Sequence, residues 1–135
     1  MTAPAPDLRP RIRVVAAVVE RDDAFLVTRR PGGTHLEGFW EFPGGKRHDD
    51  ENDTQALVRE MREELAVDVV VGDLVLFVSH TYADREVALN FYRCELRGKP
   101  APQLGQEMRW ARREDLRRMQ FPPADEELIA LLAPR

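Results

Sequence analysis

A chain of 135 residues, 43% hydrophobic and 33% charged, suits one compact soluble domain and excludes a fibrous or low-complexity architecture. The net charge of −4 argues against general nucleic-acid affinity, and a single cysteine, Cys94, excludes an internal disulfide framework. No apolar run approaches the length of a membrane span, and the prolines and acid of residues 1–10 make no signal-like apolar core.

Residues 1–10 are expected to be a loose tail, followed by one domain over 11–135. Ile12 to Glu20 is β-branched and nearly all apolar, which predicts a buried strand; Asp22-Asp23 turns the chain and Ala24 to Thr28 returns. Arg29 to Phe39 holds Pro31-Gly32-Gly33 and Gly38 and reads as a loop. Phe39 to Phe42 is a short extended piece that ends at Pro43-Gly44-Gly45. Asn52 is a good N-cap, and Gln55 completes a capping box for a helix running to about Leu65.

Val67 to Val71 and Leu74 to Ser79 read as two strands flanking Gly72-Asp73. Val87 to Leu96 is a strand with alternating apolar positions, and Cys94 within it reads as a small core residue. Gly98 to Gly105 is a loop, Met108 to Ala111 a short strand, and Glu114 to Met119 a helical turn or two. Pro122-Pro123 opens a last helix through Leu132. Mixed strands and helices in this order predict an α/β sandwich on a mixed sheet.

The chemistry concentrates in residues 44–67. At 100° per residue, Leu57, Met61 and Leu65 form the apolar stripe of the helix, and Glu60, Glu63 and Glu64 lie on the adjoining arc. Carboxylates crowded on one ridge repel one another, and a hard divalent cation is their natural occupant; a plain solvated face is the alternative. Gly44-Gly45 lets backbone approach a ligand and offers a carbonyl, and Arg59 can hold a carboxylate by paired bonds.

Gly45, five residues, Glu51, seven residues, then Arg59-Glu60-Met61-Arg62-Glu63-Glu64-Leu65-Ala66-Val67 resembles the Nudix box. Trp40 to Lys46 and Phe121 to Asp125 are similar to its MutT-like branch, the 8-oxo-dGTP diphosphatase and CTP pyrophosphohydrolase group. The resemblance spans residues 12–132. It implies a Nudix-type α/β/α sandwich and hydrolysis of a nucleoside triphosphate to monophosphate and pyrophosphate with Mg²⁺ or Mn²⁺. It implies metal ligation by Gly44, Glu60, Glu63 and Glu64, with Glu60 also a candidate base, and an orienting role for Glu51 and Arg59. A soluble cytoplasmic monomer or homodimer, without stable nucleic-acid binding, goes with it.

Two positions depart from the family pattern. Ala66 replaces a glycine that ends the helix in a left-handed conformation, at a cost of roughly 1 kcal/mol. Leu104 stands where an outlying acid is usual, which leaves Glu107 as a candidate ligand or base, or a salt-bridge partner. For the substrate, Arg30 and His35 match contact positions, against a surface ion pair and a loop hydrogen bond. Phe42 and Tyr82 match the base pocket, against core packing, and Arg85 reaches the same region unless Asp84 pairs with it. Asp125, read as an ionised acceptor, suits the N4 amino group of cytosine or the donors of guanine; a helix cap is its alternative. Glu41 is a second acceptor or a sheet-edge ion pair. The resemblance leaves open a dinucleoside polyphosphate or nucleotide-sugar substrate, and a non-catalytic recognition module.

Overall fold

The computed structural model describes residues 8–134. Of the expected tail, residues 1–7 lie outside that range, while Arg9 donates to the Tyr82 carbonyl at 3.0 Å and the Glu86 amide donates to the Pro10 carbonyl at 2.9 Å. The strands are β1 (Arg11–Val18), β2 (Glu20–Arg21), β3 (Ala24–Arg29), β4 (Trp40–Glu41), β5 (Gly44–Lys46), β6 (Asp68–Thr81), β7 (Glu86–Arg97) and β8 (Glu107–Arg112). Helix α1 spans Asp53–Leu65 and α2 spans Glu126–Leu132; 3-10 turns cover Arg113–Arg118 and Pro123–Asp125.

The expected mixed sheet is present, in the order β5-β1-β7-β6 with β1 and β7 parallel, and a second, antiparallel sheet joins β2, β3, β4 and β8. The apolar run of β1 follows from burial on both faces. Val15, Ala17 and Val19 pack with Leu57, Met61 and Leu65 of α1, while Ala16 and Val18 pack with Phe25, Phe91 and Leu128 on the other side. Cys94 lies in the α1-side core, and burial pushes its thiol up to about 12. Among the described residues no helix is long and apolar enough to cross a membrane.

Three elements differ from expectation. Gly44–Lys46, expected as the end of an extended piece, is a strand paired with β1. The last helix begins only at Glu126, after a 3-10 turn. The two strands expected around Gly72-Asp73 are a single strand, β6, whose halves both pair with β7. The pairing shifts register between Val71 and Leu74 and again before Leu76, so the glycine marks a bulge rather than a turn.

Candidate active site

Gly44 and Gly45 run antiparallel to β1 with no room for a side chain. A Cβ on Gly44 would lie 2.0 Å from the Val15 carbonyl oxygen, and one on Gly45 would lie 2.5 Å from the Glu60 carboxyl carbon. The backbone is thereby pressed directly under α1. The helix starts with the expected capping box, Asn52 and Gln55 exchanging bonds of 2.8 and 2.9 Å. It ends at Ala66 in the left-handed conformation, φ 50° and ψ 41°, as its departure from the family glycine predicts.

Arg59 organises the ridge. Its guanidinium donates to Glu51 Oε1 at 2.6 Å and Oε2 at 3.1 Å, to Glu60 Oε1 at 2.9 Å, to Glu63 Oε2 at 3.2 Å and to the Lys46 carbonyl at 2.9 Å. Those bonds, with the His48 amide, hold the Glu51 carboxyl down at about 2, and the Arg59 guanidinium is raised in return by Glu51. Glu63 faces solvent, whereas Glu60 is largely enclosed.

Glu64 turns inward and accepts from the Gly44 amide at 3.4 Å. Burial first, then repulsion from Glu60 and Glu41, pushes its carboxyl up to about 8. Among the described residues no three ligand side chains already converge on one point, because Arg59 holds Glu60 and Glu63 while Glu64 turns to Gly44. The donor set still fits a hard divalent cation: all oxygen, and with a surplus of negative charge around Glu64 that such an ion would relieve.

Glu64, Gly44 and Gly45 line a cleft of about 560 Å³, as do Arg30, Glu41, Phe42, Tyr82 and Asp125. Arg30 Nε donates to Glu41 Oε2 at 3.2 Å; burial raises the Glu41 carboxyl although Arg30 opposes the shift. Phe42 meets both readings, since it lines the cleft and also stacks on Phe121 at 5.4 Å and meets Phe91 edge-on at 6.2 Å. Tyr82 stands at the rim, 40% exposed.

Asp125 is only 5% exposed and makes no side-chain cap to α2. Burial, then Glu41, pushes its carboxyl up to about 7. A carboxyl raised this far offers, in its protonated form, a donor as well as an acceptor, which differs from the ionised acceptor expected from the sequence.

Seven sequence candidates stand outside the cleft lining: Glu51, Arg59, Glu60 and Glu63, which bond among themselves through Arg59, and His35, Arg85 and Glu107. His35 is exposed between Thr34 and Leu36, which do line it. Arg85 lies with its guanidinium 5.2 Å from the Tyr82 ring centre, rather than paired with Asp84. Glu107 is exposed at the start of β8, opposite Arg29, and takes part in no ion pair among the described residues. Its neighbour Gln106, which sequence reasoning passed over, lines the cleft and donates from Nε2 to the Glu64 carbonyl at 3.0 Å. A search for carboxylate ligands favours the acid of that pair, although its amide neighbour is the one that reaches the helix.

Comparison with known proteins agrees with this geometry. The family model described as "NUDIX domain" matches residues 14–131. The CTP pyrophosphohydrolase of Escherichia coli K12 is 36% identical over 129 residues, covering 92% of this chain and 96% of its own. The 8-oxo-dGTP diphosphatase of the same organism is 31% identical over 124 residues, covering 90% and 96%. The solution structure of the E. coli ORF135 protein superposes with a TM-score of 0.79 at 36% identity, covering 92% of this chain and 87% of that one. With its box residues assembled around Gly45 and Arg59, the chain belongs to the Nudix hydrolase family.

Proposed function

We propose that the protein is a divalent-metal-dependent nucleoside triphosphate pyrophosphohydrolase that releases monophosphate and pyrophosphate and clears unwanted nucleotides from the pool. Its substrates on this reading are cytidine-type triphosphates (CTP, dCTP, 5-methyl-dCTP) and 8-oxo-dGTP. The observation that carries it is one cleft lined by both Glu64 and Asp125, where burial first, and Glu41 further, raise both carboxyls.

Around the phosphates, Gly44, Glu60, Glu63 and Glu64 would hold Mg²⁺ or Mn²⁺, which when bound neutralises phosphate charge and acidifies an attacking water. On this reading Arg59 and Glu51 orient the ridge, and Glu60 would accept the proton of the attacking water. Arg30 offers a cation to phosphate or ribose.

Against the base, a carboxyl group bearing one proton presents a donor beside an acceptor. That pair complements the N3 and N4-amino edge of cytosine. It also complements the O6 and N7–H edge of 8-oxoguanine, whereas unoxidised guanine shows two acceptors, O6 and N7, on that edge. One neutral acid thus serves both substrate classes, which fits the names borne by the two relatives. The test is a panel of standard, methylated and oxidised triphosphates with purified protein and Mg²⁺. Monophosphate and pyrophosphate are expected from the cytidine-type compounds and 8-oxo-dGTP. Failure to cleave any of them this way refutes the proposal.

A further inference from the structure

Asp53 is the first residue of α1, and its carboxylate takes three hydrogen bonds from outside the helix. Oδ1 accepts from Arg47 Nη1 at 2.9 Å, and Oδ2 accepts from Asn90 Nδ2 at 2.8 Å and from the Tyr92 hydroxyl. Burial pushes this carboxyl up, but Tyr92, Arg47 and Asn90 outweigh it and hold it below its ordinary value. Asn90 and Tyr92 stand two apart on β7 and so share the face turned to α1. Among the described residues no other side-chain hydrogen bond joins α1 to β7.

The third donor ties in the segment before the helix. The Arg47 amide donates to the Arg13 carbonyl at 2.8 Å, and its neighbour Lys46 supplies the carbonyl that receives Arg59. The same segment carries Glu51, whose carboxylate also accepts from the His48 amide at 2.8 Å. Asp53 is therefore the point where the loop, the start of the helix and the central sheet meet.

Apolar burial of Ala56, Leu57, Met61 and Leu65 holds α1 against the sheet. That attraction is non-directional and leaves the helix free to slide or roll by fractions of an ångström. A constellation that binds an ion needs its ligands placed to about half an ångström. At the far end, Gln106 and the Gln103 amide both bond to the Glu64 carbonyl and fix that terminus.

We propose that Asp53, held by Asn90 and Tyr92, is a positioning residue that sets α1 so that Arg59 meets Glu51 and Glu60 above Gly45. This rests on the reading of Glu60 and Glu64 as ion-holding carboxylates, and it adds residues from β7 to the support of that site.

The test compares Tyr92→Phe and Asn90→Ala with the wild type, with Asp53→Ala as the severe variant. Three quantities are measured: the thermal midpoint, Mn²⁺ affinity of the substrate-free protein by electron paramagnetic resonance, and kcat and KM on the best triphosphate of the panel. Loss of a residue that supports metal ligands is expected to weaken Mn²⁺ binding or kcat by about tenfold. KM should stay near the wild-type value, at a temperature where the variant is fully folded. A folded Tyr92→Phe and Asn90→Ala pair with wild-type Mn²⁺ affinity and wild-type kcat overturns the proposal and leaves the network as a fold tie. Should the wild type bind Mn²⁺ but cleave no triphosphate, the functional reading falls while Mn²⁺ affinity still decides this one. A wild type that neither binds nor cleaves overturns both.

Discussion

Asp125 is an acid that the fold prefers to keep neutral. Its carboxyl is raised from an ordinary value near 4 to about 7, so the folded state binds its proton more tightly than the unfolded chain does. The stability this provides is complete below the unfolded value and is lost as pH rises through about 7. Asp125→Asn removes the titration and keeps the paired donor and acceptor. Its thermal midpoint is therefore expected to exceed the wild type at pH 8 and to match it near pH 4. Its kcat/KM for dCTP should fall less than the wild type's between pH 6 and 8. Equal midpoints and parallel pH profiles would show that Asp125 does not titrate in this range. Glu64 is the opposite case on the proposed reading, where its charge would serve the metal ion. Glu64→Gln keeps shape and burial but removes the carboxylate, so turnover should drop by at least about a hundredfold while circular dichroism stays unchanged. Undiminished turnover in that variant removes Glu64 from the site.

Among the elements, α1 is the one whose limits the sequence specifies most fully. The capping box, the apolar stripe and the odd alanine at its end are local features, within reach of a few residues, and each occurs where periodicity and spacing place it. The Ala66 end is a chance to stabilise the protein. A left-handed alanine costs roughly 1–2 kcal/mol, and glycine gives back about 0.4–1 kcal/mol through unfolded-chain entropy. Ala66 is exposed, so Ala66→Gly loses no packing and should gain about 0.5–1 kcal/mol, a rise of roughly 2 °C in thermal midpoint. A lower midpoint would show that the left-handed turn is not strained. Features that depend on distant partners were hidden. The continuity of β6 through Gly72-Asp73 depends on β7 pairing with both halves, and the Asp53–Tyr92 bond joins residues 39 positions apart. Gln106 escaped because its role is to hold a backbone carbonyl, which no search for ligands or charge would flag.

At the scale of the whole molecule, two apolar cores draw on alternate residues of β1 and of β3, and neither includes a residue of the glutamate ridge. Folding should therefore not require the metal. Chelation with EDTA is expected to abolish turnover while leaving the far-ultraviolet circular dichroism and a cooperative melt intact. Restoring Mg²⁺ should raise the midpoint in proportion to the logarithm of its concentration, since only the folded state presents the site. Unfolding on chelation would instead make the ion structural.

The ridge rides on α1 and its core, while Asp125 is carried on the turn leading into α2, whose Leu128, Ile129 and Leu132 belong to the other core. On the proposed reading, substitutions around Pro122–Asp125 would retune which base is accepted with α1 left in its own core, and changes in α1 would act first on turnover. Such a division would let a lineage explore new nucleotides one neutral step at a time, keeping a working hydrolase throughout.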